Sequence, residues 1–169
     1  RRLAIEGELG VKLLSVDSDD VSEWEVEYEP IIEIHMAGMD GPKDDDLGRR
    51  GLELIGTNCI HAGVVHSTNT KRCLIGEISL NEMMTVSVGK EKVEQVTLSE
   101  LRVGDMLGPV ATLSWLLKKL KSEGNKEEAL LREGAFVICS TPGALHLVPP
   151  GSEVRVEFSG LETSCTATT

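Results

Sequence analysis

The chain has 169 residues, 40% of them hydrophobic, 27% charged and 3% aromatic, with a formal net charge of -11. That is long enough for one domain with a real core, which must rest on Leu, Val, Ile and Met. The acidity and the lack of a basic stripe or aromatic ladder argue against a nucleic-acid or anionic-membrane surface, and a small anionic substrate would need local cations to attract it.

In chain order, the first predicted element is a strand over residues 5–13, in which apolar residues flank Glu6 and Glu8. Carboxylates spaced two apart on a strand project from the same side. Like charges so placed raise each other's pKa unless something positive sits between them, and a hard cation such as Mg²⁺ prefers carboxylate oxygens. An isolated Glu-x-Glu is more often a solvated strand face. Here Gly7 leaves the opposite face thin, the run after Glu8 is apolar enough to be buried, and a third acid, Glu33, sits inside the apolar strand 30–34. Buried acids need a partner, and one ion can serve all three.

Residues 16–22 read as a polar turn; an EF-hand fails there because the loop lacks the central Gly and Tyr28 stands at its twelfth position. Residues 23–29 alternate strictly, predicting a half-exposed strand with its acids facing water, broken by Pro30. Residues 37–46 are a Gly-, Pro- and Asp-rich loop, followed by a helix over 47–58 whose N-terminus Asp44, Asp45 and Asp46 favour. The small apolar run 59–66 is expected to be buried. Residues 67–72 read as a turn in which Lys71 and Arg72 are solvated rather than bound to a substrate. Strands follow over 73–78, 83–88 and 93–98, the last two joined at Gly89-Lys90.

The clearest helix is 110–122. Pro109 stands in its first turn, Leu113, Leu116, Leu117 and Leu120 form one apolar stripe, and three lysines crowd its last turns before Gly124. The charged stretch 125–133 is a candidate extension. A buried strand over 135–139, a turn at 140–143, a segment 145–148, a turn at 149–151 and an alternating strand over 153–158 complete the chain; 160–165 is read as continuing that strand and 166–169 as frayed. The four cysteines show no Cys-x-x-Cys pair and no zinc spacing; Cys59 and Cys139 look like small core residues, reduced as in an intracellular protein. With no signal peptide and no bilayer-length apolar run, the expected compartment is the cytoplasm, or an organelle if a targeting segment was removed upstream.

Three stretches resemble a known family. Gly108-Pro109-Val110-Ala111-Thr112-Leu113-Ser114-Trp115-Leu116-Leu117-Lys118-Lys119-Leu120, then Leu131-Arg132-Glu133-Gly134-Ala135-Phe136-Val137-Ile138-Cys139-Ser140-Thr141-Pro142-Gly143, then Pro150-Gly151-Ser152-Glu153-Val154-Arg155-Val156-Glu157-Phe158 with Gly160-Leu161, resemble in order and spacing the 2-keto-4-pentenoate hydratase / 2-oxo-3-hexenedioate decarboxylase family of the fumarylacetoacetate hydrolase superfamily. The resemblance covers nearly the whole chain and is most specific from Gly108 to Leu161. It implies a strand-rich α+β fold, a mixed β roll or barrel of the fumarylacetoacetate hydrolase C-terminal type with a few covering helices, as a single catalytic domain over 1–169. The chain order agrees, since short strands outnumber helices and do not alternate with them.

The resemblance also implies a site. The family's acidic triplet, which binds Mg²⁺ or Mn²⁺, matches Glu6, Glu8 and Glu33, with Gly7 where Pro is frequent. An Asp-Asn step matches Thr57-Asn58, keeping the Asn and not the Asp. His61 falls where a small polar residue often faces the substrate, and Ser140 or Thr141 matches a loop near the substrate carboxylate. The implied catalytic residues are His61, Asn58 and Ser140; a packed, hydrogen-bonded core histidine is the other reading of His61. His35 and His66 stay ambiguous between core and site, and His146 is read as structural. The family's Gly-x-Lys-x-Gly-like lysine lies upstream, where only five residues precede Glu6. Together with a start at Arg1-Arg2-Leu3 that lacks an initiator Met, this reads as a chain without the family's N-terminal part. The implied function is a divalent-metal-dependent lyase adding water to a 2-hydroxy-2,4-dienoate through a metal-chelated enolate. The alternatives are a 2-oxo-3-hexenedioate-type decarboxylase and a non-catalytic metal-binding partner subunit. The last is favoured by the missing lysine and by Thr57, and disfavoured by retention of all three acids. Expected partners are a small anionic 2-oxo or 2-hydroxy acid and further copies of the chain, with no nucleic acid and no membrane.

Overall fold

The computed structural model describes residues 2–37, 61–103, 105–123, 131–139 and 142–167. The helix expected over 47–58, the extension of the later helix over 124–130, Cys59, Asn58, Ser140 and Thr141 lie outside the described residues.

The architecture grows from one long antiparallel pair, β1 (Arg2–Ser15) and β2 (Glu25–Ala37). The chain turns between them through a short 3-10 turn at Val21–Glu23, whose Ser22 N–H donates to Asp20 at 2.9 Å. Period-two alternation gives this pair two different faces. On one face Leu9, Val11 and Leu13 of β1 and Val26 and Ile32 of β2 are fully buried. On the other stand Glu6, Glu8, Glu33 and His35, with Glu6 directly opposite Glu33 and Ala4 opposite His35.

The apolar face packs on a second sheet of β5 (Met83–Val88), β6 (Glu91–Thr97), β11 (Glu153–Phe158) and β12 (Leu161–Thr166), in the order β12-β11-β5-β6. Its buried Met84, Val86, Val154, Val156 and Phe158 complete one core. The two layers touch at Gly7: a Cβ there would stand 2.6 Å from Val86 Cγ2 and 3.3 Å from Val156 Cγ2. The first sheet is widened by four short strands. β3 (His61–Val65) and β4 (Lys71–Leu74) pair with β2, while β9 (Phe136–Ile138) and β10 (His146–Val148) pair with β1. The remaining pair, β7 (Arg102–Val103) with β8 (Met106–Leu107), leads into helix α1 (Gly108–Glu123). Leu113 of its predicted stripe is fully buried, with Leu116, Leu117 and Leu120 partly buried against the core. No described helix is long and apolar enough to cross a membrane.

Several sequence expectations change. None of residues 61–66 is buried, and Ala62 and His66 are exposed. Lys71 and Arg72 belong to strand β4 and not to a turn. Pro30 does not break a strand: β2 runs through it, opposite Leu9. The nitrogen and carbonyl of one strand residue point to the same side, and the Pro30 carbonyl accepts from Thr163 Oγ1 of β12. The missing N–H therefore faces the gap between β4, which pairs with residues 25–28, and β3, which pairs with 32–35, and no ladder bond is lost. Glu29 is not solvated but buried. Residues 73–78 are not one strand; β4 ends at Leu74 and a 3-10 turn takes Ile75–Glu77. Residues 160–165 do not continue β11 but return beside it, because Ser159 and Gly160, at φ 56° and 72°, form a two-residue turn of the twist that closes hairpins. Cys139 is fully buried, and His146 bonds Glu94 at 3.1 Å, away from the acidic face.

Candidate metal centre

The polar face of the β1–β2 pair gathers three carboxyls and two imidazoles. The register sets Glu6 against Glu33, and Glu8, two residues along β1, projects beside Glu33. His35, two residues beyond Glu33, brings Nε2 to 3.1 Å from Glu6 Oε2 and 3.7 Å from Glu33 Oε2. From β3, His61 Nδ1 bonds Glu33 Oε1 at 2.6 Å. One ligand atom from each of Glu6, Glu33 and His35 lies within 4.8 Å of the others. The cluster is sunk but not sealed: Glu8 is 3% and His35 5% exposed, while the His61 side chain is 30% exposed at the mouth.

The electrostatics are those of acids forced together. Burial, then the hydrogen bond and charge of Glu33, then the charge of Glu6, push the Glu8 carboxyl up to about 9. Glu33 moves the other way: its burial opposes ionisation, but hydrogen bonds from Glu8 and His61 and the charge of His35 and His61 outweigh it and hold the carboxyl below the ordinary range. Two carboxyls so placed resist ionising together, and the opposite directions of their shifts favour keeping the proton on Glu8 rather than Glu33. Glu8 Oε2 is buried and has no hydrogen-bond partner among the described residues. An acceptor left so costs about 1–3 kcal/mol unless a cation or a proton meets it. The donor set thus fits a divalent cation, with carboxylate oxygens supplied from two strands and an orphaned oxygen beside them.

Of the residues singled out in the sequence, the fold brings Glu6 and Glu33 within reach of one ion together with His35, while Glu8 and His61 each stand against Glu33 and fall outside that group. Asn58 and Ser140 lie outside the described residues. Lys71 and Arg72 are engaged elsewhere, Lys71 with the carbonyl of Ser159 and with its Oγ at 3.0 Å, Arg72 with Glu25 at 2.6 Å. His35, ambiguous from its sequence neighbours, lies at i+2 from Glu33, the spacing that puts it on the acidic face. A second acid–histidine pair lies further along β2. Glu29 accepts from the Ser67 N–H at 2.5 Å and bonds His66 Nδ1 at 2.9 Å, under an edge contact of His66 with Phe136 at 4.7 Å between ring centres.

Solved structures share this fold. The chain superimposes on 4-oxalocrotonate decarboxylase from Pseudomonas putida G7, complexed with magnesium and adipate, with a TM-score of 0.71 at 18% identity, over 98% of this chain and 60% of that one. Maleylpyruvate hydrolase from Sphingobium sp. SYK-6, in complex with manganese(II) and pyruvate, gives 0.60 at 14% identity over 99% and 55%. Fumarylpyruvate hydrolase from Pseudomonas aeruginosa, in complex with Mn²⁺ and pyruvate, gives 0.60 at 15% identity over 99% and 66%. The chain spans about 60% of the length of the first of these. The strand-rich α+β fold is therefore of the fumarylacetoacetate hydrolase type, as the resemblance implied. No protein-family model matches the sequence, and a comparison with curated proteins gives no match.

Proposed function

We propose that the chain carries the centre of a divalent-metal-dependent lyase acting on a small anionic 2-oxo or 2-hydroxy acid, with Glu6, Glu8 and Glu33 holding Mg²⁺ or Mn²⁺. The observation that carries this reading is that Glu6 and Glu33, from two paired strands, bring ligand atoms within 4.8 Å of each other and of His35, with buried Glu8 beside Glu33 and its Oε2 without a partner among the described residues. When bound, the ion supplies positive charge against the charge that develops on the substrate's 2-oxo group. The same charge reconciles an anionic substrate with a chain of net charge -11.

The protein's own groups do the rest. Glu8 gives up its proton when the ion is loaded. His61, tied to Glu33 through Nδ1 and partly exposed, has no partner for Nε2 among the described residues and would take or return a proton there. Asn58 and Ser140 are the further catalytic residues that the sequence resemblance implies. The reaction proposed is addition of water to the distal double bond of a 2-hydroxy-2,4-dienoate. A second reading, loss of carbon dioxide from a 2-oxo-3-hexenedioate, is favoured by the likeness to 4-oxalocrotonate decarboxylase. The working protein is proposed to be a homo-oligomer.

The two readings separate in one assay. With Mg²⁺ or Mn²⁺ present, 2-hydroxypenta-2,4-dienoate is expected to give the 4-hydroxy-2-oxo acid. Carbon dioxide release from 2-oxo-3-hexenedioate, with no hydration, would replace the hydratase reading by the decarboxylase one. Failure of the full-length protein on both substrates, with the ion bound, would reduce the chain to a metal-binding subunit.

A further inference from the structure

We propose that Phe136 is a specificity-determining residue, seating the uncharged carbon tail of a monocarboxylic 2-oxo or 2-hydroxy acid whose head binds at the acidic centre. The inference rests on the functional reading above and names the substrate class within it, a long-tailed monoacid rather than a diacid.

Phe136 shares the face of the acids. Positions 6, 8, 10 and 12 of β1 project to one side, and β9 sets Ile138 against Gly10 and Phe136 against Lys12. The ring leans back along β1 toward the acids: a Cβ on Gly10 would collide with Phe136 Cζ and stand 2.9 Å from Ile31 Cγ2. Gly10 is thus the seat of the ring, one ladder step nearer the centre than Phe136's own position. From Glu6 to Gly10 is roughly 13 Å of strand, so a tail of several carbons leaving the centre along β1 runs toward the ring.

The ring is held from a second side. His66 meets it with 69° between ring planes and 4.7 Å between ring centres. Glu29, 6% exposed, in turn fixes His66 through Nδ1 at 2.9 Å and accepts from the Ser67 N–H. Space-filling over Gly10 is the competing account, and it calls for a covered ring. Phe136 is instead 37% exposed, a fixed apolar plate beside a polar centre. Charge decides what the plate takes. Glu29 stands across from Gly10 and Glu27 across from Lys12, and Lys12, the cation at that end, lies 4.0 Å from Glu27. A second carboxylate arriving there meets like charge, whereas an uncharged tail buries apolar surface against the ring.

The test reads chain length and charge separately. Binding of 2-oxobutanoate, 2-oxohexanoate, 2-oxooctanoate and 2-oxoadipate to the full-length, Mn²⁺-loaded protein is measured by calorimetry. Affinity is expected to rise by about tenfold or more from 2-oxobutanoate to 2-oxooctanoate, as burial of successive methylenes requires. The diacid 2-oxoadipate is expected to bind more weakly than 2-oxohexanoate, a monoacid of the same length. The rise is expected to vanish in Phe136→Ala and to persist in reduced form in Phe136→Leu, which keeps part of the apolar side chain. The wild-type series needs no variant to fold. Equal affinity along the series, a rise that survives Phe136→Ala, or tighter binding of 2-oxoadipate overturns the proposal and leaves the metal reading standing. Binding of none of these acids with the ion in place sinks the substrate reading above, and this proposal with it.

Discussion

The Glu8 and Glu33 carboxyls are pushed in opposite directions, and the Glu8 shift has a sign that can be measured. The Glu8 carboxyl is raised from an ordinary 4.5 to about 9, so between those values the folded chain binds a proton that the unfolded chain has lost. Stability from this group is full below the unfolded value and drains away as pH rises toward about 9. Metal-free protein should therefore melt at progressively lower temperature from about pH 5 to pH 9, and Glu8→Gln should flatten that slope; an unchanged slope would show that Glu8 is not the proton's seat. Loading an ion requires the same proton to leave, so divalent-ion affinity should climb across the window. His61 divides the two readings made of it. If it moves a proton, His61→Gln should lower turnover by about 10²–10⁴-fold with the melting temperature little changed. If it is a packed histidine, the melting temperature falls and turnover per folded molecule does not.

At the scale of elements, the β1–β2 pair does two jobs with its two faces. Its acidic face can be spared from the core because the opposite face packs on the second sheet, and at Gly7 the two sheets leave no room for a side chain. Gly7→Ala would press a methyl against Val86 and Val156. It should cost about 1–3 kcal/mol in a denaturant titration, typical of overpacking a filled core. A smaller loss would mean that β5 and β11 can retreat. Pro30 shows the same division of labour along β2: a residue that cannot donate is placed where no strand asks it to.

For the whole molecule, the proposed ion centre would tie together β1 and β2, which carry the main sheet, so occupancy should be felt globally. An ion that binds the folded chain alone, at a hundred times its dissociation constant, adds about 2.7 kcal/mol. Thermal unfolding with Mn²⁺ should shift up by several degrees, reverse on chelation, and fail to shift in Glu33→Gln. A shift that persists in Glu33→Gln would place the ion elsewhere on this acidic surface.

What the sequence determined by itself is what local periodicity can carry. Alternation placed β1, β5 and β11 and the buried Trp24, Val26 and Tyr28; the leucine stripe placed α1; two apolar strands each interrupted by acid marked Glu6, Glu8 and Glu33. Those signals are legible because a side chain's facing follows from its own strand or helix. The tertiary structure decided whatever depends on a neighbour. Glu29 is buried because His66, Ser67 and Phe136 cover it from other segments. Pro30 sits within a strand because β3 and β4 leave a gap there, and β12 turns back because two successive residues adopt positive φ. His35 joins the acids because antiparallel register brings Glu6 within reach, and register is a property of two strands that neither one records.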